Sequence, residues 1–167
     1  MTQNCTVILD EKQIAHKLMR IAYQIYESNA DEKTIIIAGI KKNGILLAKN
    51  LKTIVENISP ITVTLCEVQI DKKEPTNVIK TSLSPDEYKG KSLILVDDVL
   101  HSGTTLIYGV KHFLDVPLRQ FKTAVLVDRN HKKYPIKADF KGISLSTSLN
   151  ENVAVIFEKN NNRVVLE

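Results

Sequence analysis

Residues 93–106 have the sequence Leu-Ile-Leu-Val-Asp-Asp-Val-Leu-His-Ser-Gly-Thr-Thr-Leu. The apolar run Leu93–Val96 is typical of a strand that is buried on both faces of a parallel sheet. Gly103 then permits a tight turn, and the residues from Thr104 to Asp115 carry apolar side chains at helical spacing. This succession of buried strand, loop and helix predicts one unit of an α/β fold.

The sequence on either side repeats this alternation. Asp10 is a suitable N-cap for a first helix, and Pro60 ends the second helix. The polar segment 67–92 contains Pro75 and Pro85 and predicts a loop or a small hood excursion. Strands are predicted at 34–38, 61–66, 93–97, 123–127, 153–157 and 163–166, and helices at 11–29, 47–58 and 104–115. The predicted fold class is therefore α/β, with a mainly parallel central sheet flanked by helices.

The composition limits the kind of protein. A length of 167 residues fits one domain, and a hydrophobic content of 43% supplies one core. No apolar run approaches the ~18–20 residues of a membrane span, the amino terminus has no secretory signal pattern, and Cys5 and Cys66 lack metal-ligand spacing. We therefore expect a single cytoplasmic domain over residues 1–167 with no membrane partner. The net charge of +4 fits a nucleic acid, a polyanionic small substrate or a solvated lysine-rich surface.

The segment after the strand Leu93–Val96 has the composition of a phosphate site. Backbone N–H groups at the start of a helix bind anions, and three hydroxyl side chains surround the same turn. Two carboxylates at the strand end can accept hydrogen bonds from vicinal ribose hydroxyls and can hold Mg²⁺ directly or through water. These groups predict a ribose 5-phosphate site, and the alternative is a surface turn with two solvated acids. The residues are Asp97, Asp98, Ser102, Gly103, Thr104 and Thr105.

The complete string 93–106 resembles the phosphoribosyl pyrophosphate (PRPP) signature of type I phosphoribosyltransferases. The resemblance implies that Asp97 and Asp98 serve the ribose hydroxyls and a Mg²⁺ cofactor. It implies that the loop from His101 to Thr105 holds the 5-phosphate. It further implies the fold of that family, and PRPP and a nucleobase as partners.

Gly39-Ile-Lys-Lys-Asn-Gly44 is a second loop between a predicted strand and a predicted helix. The glycine spacing is that of a P-loop, but Ile45-Leu46 stand where a P-loop requires Lys followed by Ser or Thr. The segment instead resembles the pyrophosphate loop of the same family, and the alternative is a solvated lysine-rich loop. The candidates for binding the leaving group are Ile40, Lys41, Lys42, Asn43 and Gly44.

Five further motifs lie along almost the whole chain: Val7–Glu11, Arg20–Ala22, Ala124–Arg129, His131 and Pro135–Asp139. In this order they resemble the bifunctional pyrimidine-operon attenuator and uracil phosphoribosyltransferase (PyrR) family. That resemblance implies uracil as the acceptor base and a homo-oligomer. It also implies that Val127, Asp128 and Arg129 border the base pocket. For Asp128 and Arg129 the alternative is a local salt bridge at the end of a strand.

Three departures from the family pattern bear on function. The hood excursion is short and has Gln69–Glu74 in place of a Tyr-Arg-Asp run, so Lys72 and Lys73 would supply positive charge without the bidentate fork of arginine. Lys42-Asn43 replaces Thr-Arg in the pyrophosphate loop. His101 stands where the attenuator family has Tyr and where purine transferases have an acid. It could exchange a proton with the base near neutral pH, or simply hydrogen-bond to the loop backbone.

An RNA-binding role is the main alternative from another class. Arg20 persists on the first helix, but Ala15-His16 and Met19 replace basic or hydroxyl residues and Tyr23 replaces a histidine. Loss of these groups weakens the electrostatic attraction for RNA. We therefore favour a uracil phosphoribosyltransferase over a nucleotide-sensing RNA-binding regulator. A purine phosphoribosyltransferase and a PRPP-binding protein without activity are further alternatives.

Overall fold

The computed structural model describes residues 5–148 and 150–167. Its centre is a six-stranded sheet in the order β4-β3-β2-β5-β6-β7, in which only β4, at one edge, is antiparallel to its neighbour. The α/β fold with a mainly parallel sheet is confirmed. The strands of this sheet are β2 (Thr34–Ile40), β3 (Thr62–Gln69), β4 (Lys80–Thr81), β5 (Ser92–Leu100), β6 (Gln120–Arg129) and β7 (Phe140–Leu145).

Helices cover both faces of this sheet. In the described ranges the helices are α1 (Glu11–Ser28), α2 (Asn43–Ile58), α3 (Pro85–Tyr88) and α4 (Thr104–Phe113). Successive β5 side chains point to opposite faces, so that Ile94 packs with α1 and α2 while Leu95 packs with α4. The predicted N-cap of α1 is present, because the Asp10 carboxylate accepts a hydrogen bond from the Gln13 N–H at 2.8 Å. None of the helices in the described ranges is long and apolar enough to cross a bilayer.

A second, three-stranded antiparallel sheet lies apart from the central one. It has the order β1-β9-β8, with β1 at Thr6–Leu9, β8 at Val153–Ile156 and β9 at Arg163–Leu166. We call it the roof sheet. The two late strands were predicted. They pair with each other, and β9 also pairs with β1, a strand that the sequence did not predict.

The segment 67–92 is more ordered than the predicted loop. β3 pairs with β2 from Thr62 to Val68 and extends to Gln69, which pairs with Lys80 of the short antiparallel edge strand β4. The helix α3 begins at a capping box between Ser84 and Glu87. Its Tyr88 ring packs edge-on against Phe113 with the ring centroids 5.0 Å apart. This aromatic contact fixes the second half of the excursion to the core.

Candidate active site

A cavity of about 360 Å³ opens at the carboxyl end of β5, between the start of α4 and the roof sheet. Ligands of open α/β sheets bind at this end of the strands. The cavity brings together both predicted acids and the whole loop from His101 to Thr105, and the apolar Val125 adds part of its wall. The roof sheet contributes Val153–Val155, which the sequence did not single out because an apolar strand carries no binding signal of its own.

Asp97 lies inside β5 rather than after it. The strand continues through Leu100, because it keeps its parallel pairing with β6 as far as Asp128. Asp97 is only 4% exposed, and its Oδ1 lies 3.9 Å from Lys72 Nζ. Burial and the neighbouring Asp98 carboxylate raise the pKa of Asp97 to about 8, and Lys72 acts in the opposite direction.

Asp98 is held in place from two sides. Its Oδ1 accepts a hydrogen bond from the Val99 N–H at 2.9 Å, and its Oδ2 accepts one from Asn43 Nδ2 at 2.9 Å. The same Asn43 nitrogen donates to the Val155 carbonyl in the roof sheet at 2.9 Å. One amide group therefore ties the start of α2 to an acid of the cavity floor and to the roof. The sequence identified Asn43 as a loop residue, but it gave no signal for this bridge.

The 39–44 loop folds tightly against β5. A Cβ on Gly39 would lie 2.6 Å from the Gly44 carbonyl oxygen, and a Cβ on Gly44 would lie 2.8 Å from the Val96 carbonyl oxygen. Only glycine fits at these two positions. The Lys41–Lys42 peptide bond is cis. Ile40, one of the predicted loop residues, is instead the last residue of β2 and has a fully buried side chain.

A second cavity of about 500 Å³ adjoins the first and shares Asn43, Lys72 and Asp98 with it. Its other lining residues are Lys41, Lys42, Gln69 and Ile70. Three lysines around one cavity favour a polyanionic ligand. The structure thus places the predicted pyrophosphate loop beside the predicted ribose phosphate site.

The 101–105 loop has the form of an anion cradle. Gly103 has φ +85°, in the left-handed region, and a Cβ there would collide with Ile136. Ser102 and Thr104 direct their hydroxyls at each other, with 2.9 Å between the oxygens. The Ser102 carbonyl accepts a hydrogen bond from the Lys133 N–H at 2.7 Å. The loop is fixed, and Thr104 and Thr105, the first residues of α4, line the cavity. The start of a helix is a place where backbone N–H groups can bind an anion.

Val127, Asp128 and Arg129 do not line this cavity. Val127 is fully buried, and Asp128 forms ion pairs at 3.4 and 3.5 Å with Lys132 and Lys141. Asp128 therefore forms salt bridges at the end of its strand, as the alternative interpretation expected, and its partners are the two lysines. Contact of the three residues with a base remains a prediction.

Arg129 reaches the cavity through His101. Arg129 is 2% exposed, and its Nη1 lies 2.5 Å from His101 Nε2. Its other donors bind the Thr147 hydroxyl at 2.5 Å and the Ser148 carbonyl at 2.9 Å, and they also reach the Glu151 carbonyl. The buried arginine thus fixes both the cavity histidine and the chain that leads to the roof sheet. The sequence did not indicate this contact.

The two acids fit a magnesium ion that completes its shell with water and substrate. Mg²⁺ prefers carboxylate oxygens and keeps several waters or phosphate oxygens as ligands. Asp98 contributes to the raised pKa of Asp97, and a nearby cation would relieve this repulsion between like charges. No group of three or more His, Cys, Asp or Glu side chains within residues 5–148 and 150–167 could hold a metal. A substrate that brings its own oxygens would supply the missing ligands.

Comparisons with known proteins agree with this geometry. A sequence model of the phosphoribosyl transferase domain matches residues 5–158. The bifunctional protein PyrR of Brevibacillus brevis is 39% identical over 160 residues, which cover 91% of this chain and 89% of that protein. The PyrR protein of Bacillus subtilis is also 39% identical, over 159 residues, with 89% and 88% covered.

The fold has a close structural counterpart. The hypoxanthine phosphoribosyltransferase of Trypanosoma cruzi superimposes with a TM-score of 0.80 over 95% of both chains, at 16% sequence identity. A hypoxanthine-guanine phosphoribosyltransferase of Bacillus anthracis gives a TM-score of 0.70 at 20% identity, over 84% of this chain and 82% of that chain. The predicted phosphoribosyltransferase fold is confirmed.

Proposed function

The chain belongs to the phosphoribosyl transferase domain family, and from this premise we propose that it transfers the phosphoribosyl group of PRPP to uracil, forming UMP and pyrophosphate. One observation carries the proposal. The hydroxyl-rich loop, the paired acids and the lysine-lined loop follow one another along two connected cavities. PRPP has its 5-phosphate, ribose hydroxyls and pyrophosphate in the same order.

PRPP would lie across the two cavities. Its 5-phosphate fits the 101–105 loop, where the N–H groups of α4 and the hydroxyls of Ser102, Thr104 and Thr105 can donate to it. The 2- and 3-hydroxyls of the ribose would donate to Asp97 and Asp98. The pyrophosphate would enter the second cavity, between Lys41, Lys42 and Lys72.

The reaction breaks the bond between ribose C1 and the pyrophosphate oxygen and forms a bond from C1 to a ring nitrogen of the base. Positive charge develops on the ribose as in glycoside cleavage, while negative charge grows on the leaving group. The lysines of the second cavity can stabilise that negative charge electrostatically. A bound Mg²⁺ would add positive charge at the pyrophosphate and help to orient it. Asp97 and Asp98 hold the ribose in position for the attack.

Uracil is favoured as the base because the relatives named above are PyrR proteins, whose family the sequence resembles in its motifs. Val99, Leu100 and Val125 give the first cavity apolar walls on which a planar base can pack. Asp128 and Arg129 remain candidates for the polar edge of the pocket. Because His101 replaces the Tyr of the attenuator family, a purine base is the next candidate.

A regulator that binds RNA is the second candidate function, because the relatives are bifunctional. Arg20, the cation retained on α1, donates to the carbonyls of Lys141 at 2.9 Å and Gly142 at 2.7 Å. This guanidinium is already used to bind β7, so it has less capacity to contact RNA phosphates. The enzyme is therefore the better supported function.

The deciding experiment measures pyrophosphate release by the purified protein with Mg²⁺ and PRPP. Uracil, hypoxanthine, guanine, xanthine and adenine are tested side by side, and the nucleotide product is identified by chromatography. We expect release with uracil and formation of UMP. Release with none of the bases overturns the proposal. If PRPP nevertheless raises the melting temperature, the protein binds PRPP without catalysis.

The RNA function is tested separately with a hairpin from a pyrimidine-gene leader and an unrelated hairpin of equal length. A regulator binds the leader more tightly at moderate salt, and UMP changes that affinity. Equal affinity for both hairpins excludes regulation through this RNA, since charge alone gives binding without sequence preference.

A further inference from the structure

The outer edge of β3 borders the central sheet on the side away from β2. In a strand of a parallel pair, the N–H and C=O of one residue point to the same side, and successive residues alternate. The Thr62 N–H donates to the carbonyl of Lys33, just before β2, at 2.9 Å. Val63, Leu65 and Glu67 therefore point outward, and β4 pairs only with the two residues that follow them. An edge of this kind offers free backbone groups to a strand of another molecule.

The backbone groups of Val63 are bound by two charged side chains of α2. The Glu56 Oε1 accepts a hydrogen bond from the Val63 N–H at 2.9 Å, and the Val63 carbonyl accepts one from Lys52 Nζ at 2.5 Å. The two side chains lie one helical turn apart and pair with each other at 2.9 Å. The Val63 N–H and the Lys52 ammonium lower the pKa of Glu56, so the carboxylate is charged at neutral pH. One acceptor and one donor thus lie where a residue of a neighbouring strand would lie.

This arrangement leaves a very short open edge. The Glu67 N–H donates to the Ser82 hydroxyl at 2.8 Å, and the Glu67 carbonyl accepts a bond from the Ser82 N–H at 3.0 Å. Between Val63 and Glu67, Leu65 then has no hydrogen-bond partner for its outward groups among residues 5–148 and 150–167. One exchanged pair of hydrogen bonds contributes too little to hold two proteins together.

The opposite end of the sheet is covered in a similar way. On β7, the Arg20 guanidinium of α1 donates to the carbonyls of Lys141 at 2.9 Å and Gly142 at 2.7 Å. Helices that pack on the same face of the sheet thus send charged side chains to backbone groups at both of its ends. Charged side chains at sheet edges are a means by which proteins prevent strand pairing between molecules.

Without Lys52 and Glu56 the edge of β3 would be complementary to itself. Val63 and Leu65 would both be free, and in an antiparallel arrangement each could pair with the other residue type of a second copy. Each of these pairs would exchange both of its backbone hydrogen bonds. The twofold axis would pass by Thr64, whose exposed side chain would face its own counterpart. The β-branched residues of this strand favour such pairing.

We propose that Lys52 and Glu56 form an edge block, which prevents β3 from pairing with β3 of a second copy of this chain. The interface that the edge block closes is the backbone from Val63 to Leu65, and the partner that fits it is an antiparallel strand of identical sequence. The proposal concerns assembly and does not depend on the function proposed above. Oligomers formed through other surfaces keep this edge free, so the wild-type assembly is the reference for every test.

The first test removes the edge block without changing the net charge. In Lys52→Ala/Glu56→Ala both Val63 groups are free, and sedimentation velocity should show particles of at least about twice the wild-type mass, in amounts that grow with concentration. The control is Lys49→Ala/Glu27→Ala, which removes the same charges from exposed positions of α2 and α1 and should keep the wild-type mass. If the first variant is folded by circular dichroism and keeps the wild-type mass, the proposal is wrong.

The second test determines the register of the pairing by disulfide formation. It uses a Cys5→Ser background, because Cys5 is an exposed free thiol. Thr64→Cys then places a thiol beside the twofold axis, where opposed Cα atoms would be about 4.5 Å apart, within reach of a disulfide. Oxidation should link two chains when Lys52 and Glu56 are replaced by alanine, and should link none when both are present. Equal linking in the two backgrounds overturns the proposal, and so does no linking in either.

A third measurement needs no altered protein. Amide hydrogen exchange of the wild type, followed by NMR, compares the Val63 N–H, which Glu56 binds, with the Leu65 N–H on the same strand. Unfolding exposes both alike, so a difference reports the edge itself. We expect the Leu65 N–H to exchange at least about tenfold faster. Equal rates contradict the proposal, because the edge block then does not hold Val63 or the edge is already paired. This comparison decides the question even if the alanine variant does not fold.

Discussion

The floor and the roof of the candidate active site are built in different ways. The floor consists of residues 97–106, one continuous stretch whose strand, turn and helix place the functional groups locally. The roof consists of Val153–Val155, which belong to a separate sheet, and Asn43 is its hydrogen-bonded link to the floor. The floor therefore depends on local backbone geometry, while the roof depends on contacts between distant segments. Substitutions in the two parts should have different consequences.

The largest effect is expected from Asp97→Asn, in the floor. Removing this carboxylate should lower kcat/KM for PRPP by about 100-fold or more, since it deprives the ribose and Mg²⁺ of a charged partner. Steady-state pyrophosphate release measures the loss, with the exposed Asp31→Asn as the control. An activity within about threefold of the wild type would mean that Asp97 does not contact the substrate.

Asp97→Asn, which should lower activity, should raise the stability of the folded protein. The pKa of Asp97 is raised to about 8, so the folded state prefers its protonated form. That contribution is complete below the ordinary pKa of an aspartate, about 4, and is lost as the pH rises towards 8. In metal-free protein Asp97→Asn should therefore melt at a higher temperature than the wild type at pH 8, and the difference should shrink towards pH 5. Melting curves that differ equally at both pH values contradict this.

A smaller effect is expected from Gly103→Ala. The φ of +85° disfavours a side chain by about 1–2 kcal/mol, and the new Cβ meets Ile136. The loop must shift, and PRPP affinity should fall about tenfold. Gly90→Ala is the matched control, because Gly90 has φ +71° and a Cβ there would meet nothing within 4 Å. It should lose stability while binding PRPP normally, as calorimetry can show.

Asn43→Ala tests the link between floor and roof. Losing the bonds to Asp98 and Val155 should lower the free energy of unfolding by about 1 kcal/mol and raise KM for PRPP about fivefold. Denaturant unfolding and steady-state kinetics measure the two effects. Asn50→Ala, an exposed position on the same helix, should change neither. If KM stays at the wild-type value, the roof sheet is not needed to position Asp98.

The smallest effect is expected from Lys72→Ala. Its Nζ lies 3.9 Å from Asp97, but the side chain is 52% exposed, so solvent screens the charge. KM for PRPP should rise about two- to threefold at low salt and approach the wild-type value at high salt. Lys73→Ala, on the neighbouring exposed residue, should have a weaker effect. An equal effect of both variants would mean that only the net charge of the loop matters.

The sequence could predict the floor because each signal there is local. Buried strands appear as apolar runs, and a glycine between a strand and hydroxyl residues marks a phosphate-binding turn. The same signals predicted β2, β5 and α4 to within a few residues. They also predicted that Asp97 and Asp98 lie together at the end of this strand. The structure keeps the two acids together but places them inside β5, which continues to Leu100.

The roof and the Arg129 contact could not be predicted, because they depend on which distant strands pair. The apolar sequences of β8 and β9 would be the same whether these strands joined the central sheet or formed a separate sheet with β1. Likewise, nothing in the residues around Arg129 says that its guanidinium points at His101 rather than at a base. Strand β7 was not predicted because its apolar residues are sparse. It is a strand because its backbone pairs with β6, and this pairing cannot be recognised from its own composition.

The pairing of β1 with β9 has a consequence for how the protein is made. Thr6 lies opposite Leu166, so β1 emerges from the ribosome early and waits for a partner that is synthesised almost a whole chain length later. Contacts of such long sequence separation form slowly. The nascent chain can complete its central sheet while β1 is still unpaired and the roof is missing. The roof over the cavity can therefore be completed only after residues 163–166 have been synthesised.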